Sequence, residues 1–315
     1  MSDYRIRVCE SDDEAALCAL FERVFGQPRS LEAWRWKFER SRDLGASSEP
    51  HSLLASSAAG EIVGHAGAVV LPGWFRGRPI PMVQVCDVMV HPEHRGGLGE
   101  GNLFTLLLRA LLDRISERMP SSFRYGFPGQ RPYLLGERAK VYERMEIAEA
   151  IDLSPEAGGR SIWRASPLDW QDPRLDRLWA RRRGRFDLGV VRDRAYLDWR
   201  YARNPSHVYH LTGIGLLGRL VGWVVSRPDG DRDLLVDLLL PAHGAGQALT
   251  AVAAEIASAG SRAATLWLPE SWRAKLRLSG RETPVVTALM SRKSPIGTAE
   301  AKRMLYYTMG DVDIF

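Results

Sequence analysis

The chain has 315 residues, 45% apolar and 26% charged, with 43 Lys and Arg against 38 Asp and Glu for a formal charge of +5. That composition excludes a disordered, collagen-like or coiled-coil chain, and at roughly 150 residues per domain it leaves room for two domains. The longest apolar runs, Val83–Val90 and Leu234–Pro241, are short and each carries an Asp, whereas a membrane-spanning helix needs about 20 apolar residues.

The start, MSDYRIRVCESDDE, has no basic segment followed by an apolar one. No secretory signal is expected, and the expected location is the cytoplasm. Cys9, Cys18 and Cys86 are too few and too scattered for a disulfide framework or a zinc site, and no metal is expected. The one dense basic run, Arg181-Arg182-Arg183-Gly184-Arg185, reads as the solvated end of a helix. The cations are not concentrated and interleaved with aromatics as in nucleic-acid binders, which argues against such a partner.

In chain order, Tyr4–Glu10 reads as a strand. Asp12-Asp13-Glu14 open a helix to about Gly26, with Ala16, Leu17, Leu20, Phe21 and Val24 on one face. Ser30–Arg42 is a second helix. Ser52–Ala58, Ile62–Leu71 and Pro79–Val90 are strands separated by turns rich in Gly and Pro. Asn102–Arg118 is a strongly amphipathic helix and Phe123–Phe127 a strand. Pro132–Tyr142 reads as a loop or short helix, Glu146–Leu153 as a strand, and Ser154–Gly159 as a linker. The order then recurs. Ser161–Ala165 is a strand, Pro173–Arg183 and Asp193–Ala202 are helices, and His207–Ile214, Leu220–Ser226 and Leu234–Leu240 are strands. Ala248–Ser258 is a helix, Ala263–Leu268 and Val285–Ser291 are strands, and Tyr306–Phe315 reads as a surface tail.

The repeat is visible in residues too. Trp36-Lys37-Phe38 matches Trp199-Arg200-Tyr201, and Ile62-Val63-Gly64 matches Leu220-Val221-Gly222. Asp87-Val88-Met89-Val90 leads to Pro92 as Asp237-Leu238-Leu239-Leu240 leads to Pro241. Three matches in one order predict a duplicated domain, with halves at 1–155 and 160–315.

The sharpest local signal is VQVCDVMVHPEHRGGLGEGNLFTLL at Val83–Leu107. A strand runs through a glycine-rich turn into a helix. Glycines let backbone approach a ligand, a helix start offers unpaired N–H groups, and Arg95 adds a cation. A phosphate or pyrophosphate is the natural guest.

Val90-His91-Pro92-Glu93-His94-Arg95-Gly96 resembles the acetyl-CoA loop of the GCN5-related N-acetyltransferase (GNAT) superfamily, which reads V-H-P-E-Y-R-G-x-G-x-G. The spacing of Arg95, Gly96, Gly97, Leu98 and Gly99 is one residue short of the family's Arg/Gln-x-x-Gly-x-Gly/Ala. A register from His94 uses Gly97 and Gly99, and one with an added residue uses Gly99 and Gly101. Tyr142 keeps the tyrosine of the family's F-Y-x-x-x-G-F, with Glu146 and Ile147 replacing the Gly and the second Phe.

The resemblance implies two tandem GNAT folds of mixed α/β class, each a mostly antiparallel sheet flanked by helices. It implies acetyl transfer from acetyl-CoA to an amine of a small molecule or peptide. By the same resemblance Tyr142 protonates the thiolate, and Val88, Met89 and Val90 contact the pantetheine and thioester. For the base, Asp87 lies mid-strand among apolar residues, where burial would raise its pKa. The competing reading is a structural Asp, because Asp237 holds the matching place in the other half. The terminal carboxylate of Phe315 is a further candidate base. The second half keeps Gly244 and Gly246 but no loop arginine, and is expected to complete the acceptor pocket or stabilise the first. An aminoacyl or long-acyl transferase, and a non-catalytic protein with a relic coenzyme site, are the alternative functions.

Overall fold

The computed structural model describes residues 4–96, 101–153, 162–258, 260, 263–290 and 294–312. Gly97, Leu98, Gly99 and Phe315 lie outside them.

The chain opens with β1 (Arg5–Val8), α1 (Glu14–Phe25) and α2 (Leu31–Phe38). Helix α1 stops at Gly26, whose φ of 72° is the left-handed end that glycine reaches freely. Ser30 caps α2 by accepting the Ala33 N–H at 3.1 Å. The expected long second helix stops at Phe38 and gives way to a tighter turn over Arg40–Leu44. Next come β2 (Ser52–Ser56), β3 (Ile62–Phe75) and β4 (Arg78–Val90). Helix α3 (Leu103–Arg118) follows, capped by Asn102, then β5 (Phe123–Gly126), α4 (Gln130–Arg138) and β6 (Glu143–Leu153).

The second run has β7 (Trp163–Pro167), α5 (Arg174–Arg182), β8 (Leu188–Val190) and α6 (Arg194–Leu197). A π-turn over Asp198–Ala202 continues α6 and turns Trp199, Arg200 and Tyr201 all inward. Strands β9 (His210–Leu216), β10 (Arg219–Asp229) and β11 (Arg232–Leu239) precede α7 (Ala245–Ser258) and β12 (Ala263–Trp267). Helix α8 (Glu270–Leu276), β13 (Arg281–Leu289) and α9 (Thr298–Met304) lead to the last described residues.

The chain forms two compact units. Unit 1 takes the described residues of Met1–Trp74, Arg78–Glu146 and Val285–Lys302; unit 2 takes those of Phe75–Gly77, Ile147–Pro284 and Arg303–Phe315. The sheet of unit 1 runs β1-β2-β3-β4-β5 and then the end of β13, where Ala288 and Leu289 pair with Gly126 and Tyr125. The sheet of unit 2 runs β7-β9-β10-β11-β12 and then the end of β6, where Ala150–Leu153 pair with Ala264–Trp267. Each sheet therefore closes on a strand from the other half of the sequence.

Each unit has a parallel strand pairing after its long central strand, and the two registers repeat. In unit 1, Met82–Val85 pair with Phe123–Gly126. In unit 2, Arg232–Leu235 pair with Ala263–Leu266. The offset between the two registers, from Met82 to Arg232, is also that of Asp87 to Asp237.

The core of unit 1 lies between this sheet and α3, whose Leu107, Leu108, Leu111, Leu112 and Ile115 are wholly buried against Val63, Ala66, Val83 and Val85. On its other side Met89 packs with Leu17, Leu20, Phe21, Trp34 and Leu54. Strand β4 is thus fixed from both faces, and it carries the site.

Candidate acyl-transfer site

Strand β4 parts from β5 after Val85, and Cys86–Val90 run on past the last pair. Asp87 sits just beyond the parting point with φ of 46°, a left-handed conformation that costs a non-glycine residue about 1–2 kcal/mol. Its surroundings hold it there. Lys37 of α2 places Nζ 2.9 Å from Asp87 Oδ2, and both side chains are buried. His65 of β3 donates from Nδ1 to the Asp87 carbonyl at 2.7 Å. Burial alone would raise the Asp87 carboxyl. The charge and hydrogen bond of Lys37, together with Arg29 and His65, outweigh it jointly, and the carboxyl lies below its ordinary range. The upward shift expected of a base at this position is therefore reversed. Burial pushes His65 down to about 4, so its imidazole is neutral, with the proton on Nδ1. Its Nε2 is buried without a hydrogen-bond partner among the described residues.

The loop after β4 begins with His91 and a tight turn over Pro92–His94. Arg23 donates from Nη1 to His91 Nε2 at 2.8 Å, and Tyr4 OH lies 3.1 Å from His94 Nδ1. Both histidines are thus anchors of the loop. Arg95 is exposed, and its Nε donates to the Val90 carbonyl at 2.9 Å. Its two Nη groups have no protein partner among the described residues. Among the described residues, nothing stands within 4 Å of a Cβ placed on Gly96 or Gly101. Asn102 Oδ1 takes the Thr105 N–H at 2.8 Å, which fixes the start of α3 beside the loop. An exposed arginine whose Nη groups are unpaired among the described residues, a helix start and a parted strand edge fit a pyrophosphate with an arm running along β4.

Tyr142 lies between α4 and β6. Helix α4 ends at Arg138, and Lys140 takes the left-handed turn, φ 55°, where a glycine is usual. Tyr142 then folds back, so that a Cβ on Gly136 would stand 2.2 Å from its Cδ2. The ring is edge-on to Phe104 of α3, 6.3 Å between centroids, and burial pushes its hydroxyl pKa up. Together with Tyr133 of α4 it lines a cleft of ≈ 540 Å³. Tyr133 donates to Glu137 and is pushed up to about 12, by burial first and then by that carboxylate.

The chain is similar to known proteins in sequence over its first half and in fold over most of its length. A family model described as an acetyltransferase (GNAT) domain matches residues 5–145. Those residues are a GNAT domain. Solved structures match over most of the chain. A conserved protein from Enterococcus faecalis V583, titled a probable N-acyltransferase, shares 16% identity at a TM-score of 0.69, covering 90% of this chain and 72% of that one. A GCN5-related N-acetyltransferase from Kribbella flavida shares 17% identity at 0.64, covering 91% and 70%. The Saccharomyces cerevisiae N-myristoyltransferase with bound myristoyl-CoA shares 11% at 0.59, covering 92% and 82%. At such identities these matches show a common fold. No curated protein sequence matches the chain.

The GNAT fold thus extends beyond the matched domain, over most of the chain. Among the described residues no helix is long and apolar enough to cross a membrane, and no cluster of three or more His, Cys, Asp or Glu could hold a metal.

Unit 2 repeats the buried Asp with other partners. Asp237 receives Arg192 Nε at 2.9 Å, Tyr201 OH at 2.8 Å and Thr308 Oγ1 at 3.0 Å. A carboxylate at this strand position is ion-paired in both units. Sequence reasoning singled out Asp87 and Tyr142 but missed Arg23, Lys37, His65 and Tyr133. Lys37 carried a signal, since Trp36-Lys37-Phe38 was already half of a repeat; its partner 50 residues on did not.

Proposed function

We propose that this chain is an N-acyltransferase that moves an acetyl group from acetyl-CoA to an amine of a small molecule or peptide, with the chemistry in unit 1. The observation that carries the reading is the parted edge of β4, which leads directly to the exposed guanidinium of Arg95 and the start of α3. Val88, Met89 and Val90 would lie along the arm of the coenzyme, and Arg95 with the amides of the loop would hold its pyrophosphate. When bound, acetyl-CoA supplies an activated thioester. The amine forms the new C–N bond as the C–S bond breaks.

Tyr142 keeps its proton throughout the neutral range because burial raises its pKa. It therefore holds a proton for the departing sulfur and is not a base, although the upward shift makes it a weaker acid than a free tyrosine. Asp87 is assigned the holding of β4. Its ion pair with Lys37 leaves it a weak proton acceptor, so the proton of the amine leaves through water.

The test is calorimetric titration and thermal unfolding with acetyl-CoA, and with longer acyl-CoAs in parallel. At 100 times Kd a ligand stabilises by about 2.7 kcal/mol. Arg95→Ala is expected to weaken binding, and Tyr142→Phe to lower kcat by about 10²-fold or more with Kd unchanged. Absence of binding by every acyl-CoA overturns the proposal.

A further inference from the structure

The free edge of β11 in unit 2 has an occupant. This strand parts from β12 after Leu235, as β4 parts from β5 after Val85. By the same offset, Val236, Leu238 and Leu240 stand where Cys86, Val88 and Val90 stand in unit 1. Tyr306 donates its hydroxyl to the Leu238 carbonyl at 2.6 Å. Arg185 donates from Nη1 to the Leu240 carbonyl at 3.0 Å. A Cβ on Gly310 would stand 3.1 Å from the Val236 carbonyl and 1.9 Å from Tyr201 OH, so the backbone there is pressed against the strand. Three alternate carbonyls of one strand edge are thus covered, two of them by the segment Tyr306–Val312.

That segment was expected to be a surface tail. Instead, every residue from Tyr306 to Val312 is buried, and two arginines hold it. Arg200 donates from Nε to the Gly310 carbonyl and from Nη2 to the Val312 carbonyl, each at 2.9 Å. Arg192, itself 1% exposed, bridges Asp237 of the strand and Asp311 of the segment. The Thr308 N–H closes on Asp311 Oδ2 at 2.7 Å. A peptide is therefore read by backbone carbonyls, one carboxylate and one glycine contact.

We propose that unit 2 is a peptide-binding unit whose resident ligand is the chain's own Tyr306–Val312 segment, seated on the strand edge that corresponds to the coenzyme edge of unit 1. The chain then carries one acyl-CoA site, and the second edge is closed to coenzyme. The comparison with unit 1 rests on the acyl-CoA reading above, whereas the seating of the segment stands without it.

Hydrogen-exchange mass spectrometry on the full chain, with and without saturating acetyl-CoA, tests this, together with the stoichiometry of acetyl-CoA by calorimetry. The expected result is strong protection of 305–312 that acetyl-CoA leaves unchanged, with one acetyl-CoA per chain. Tyr306→Phe should raise exchange across 305–312 by about tenfold, the loss of one buried hydrogen bond, while peptides of α3 keep their rates. Two acetyl-CoA per chain, or loss of protection on adding it, overturns the proposal. If no acyl-CoA binds, the function proposed above fails. The exchange data still decide this one: protection supports it, and exchange at the rate of a free peptide overturns it.

Discussion

Asp87 combines a strained backbone with a buried charge, and Lys37 is what makes the charge tolerable. Removing one partner of such a pair leaves the other uncompensated, at about 3–5 kcal/mol. Lys37→Met should therefore lower the urea midpoint sharply, and adding Asp87→Asn should recover much of the loss. Asn tolerates the left-handed φ of this position, so the recovery reports on charge and not on strain. His65 sets a different pH window. Its folded value of about 4 lies below the ordinary 6.5, so the unfolded chain takes up the proton first. Stability is full above pH 6.5 and is lost as pH falls toward 4, by about 3 kcal/mol for this residue. His51, also pushed down to about 4 by burial, acts in the same window. The lowered Asp87 carboxyl contributes only below it, from about pH 4 downward. Melting temperatures at pH 7.5 and 5.0 should show a large drop for the native chain. His65→Phe should be less stable at pH 7.5, because the Asp87 carbonyl loses its donor, and should drop less on acidification.

The turn from α4 into β6 shows how local choices place a site residue. Lys140 adopts φ 55° with a side chain that disfavours it. Lys140→Gly should raise stability by about 1 kcal/mol in chemical denaturation. Gly136 is small because the Tyr142 ring occupies its Cβ space. Gly136→Ala should cost about 1–3 kcal/mol and displace the ring, and kcat should fall with it if Tyr142 is the acid. Legibility at this level followed the length of the pattern. Helices α1 and α3, with full apolar stripes, were readable, as were the long strands β3 and β4. Helices α8 and α9 and strand β8 were not, being three to seven residues long with no full period to read. Tyr142 was found through a motif, but its fold-back onto Gly136 depends on Lys140 turning left-handed, which no propensity predicts. The burial of Tyr306–Val312 was invisible because its anchors, Arg192 and Arg200, lie over 100 residues away.

At the scale of the whole chain, three short matches predict a repeat, and the registers of β4–β5 and β11–β12 share the offset of one of those matches. Which strand closes which sheet could not be read. Pairing across more than 100 residues leaves no local trace, and β13 looks the same whichever edge it joins. This closure has a measurable result. A fragment cut at the linker, residues 1–155, lacks Val285–Leu289 and leaves the edge of β5 open. An unpaired edge templates association. The fragment should sediment as aggregate, or melt well below the full chain in circular dichroism, whereas an independent first half would melt as one sharp transition.

The exchange of closing strands also sets a schedule for synthesis. Gly126 emerges from the ribosome long before Ala288, its partner in the sheet. At roughly 5–20 residues per second the wait is on the order of ten to thirty seconds. During that time the first half can collapse and form its helices, but the edge of β5 stays uncovered. The two units must then finish at nearly the same moment, after the last strand is made. A nascent chain of this kind relies on whatever shields a bare strand edge at the ribosome, and a stop codon late in the message harms the unit encoded first.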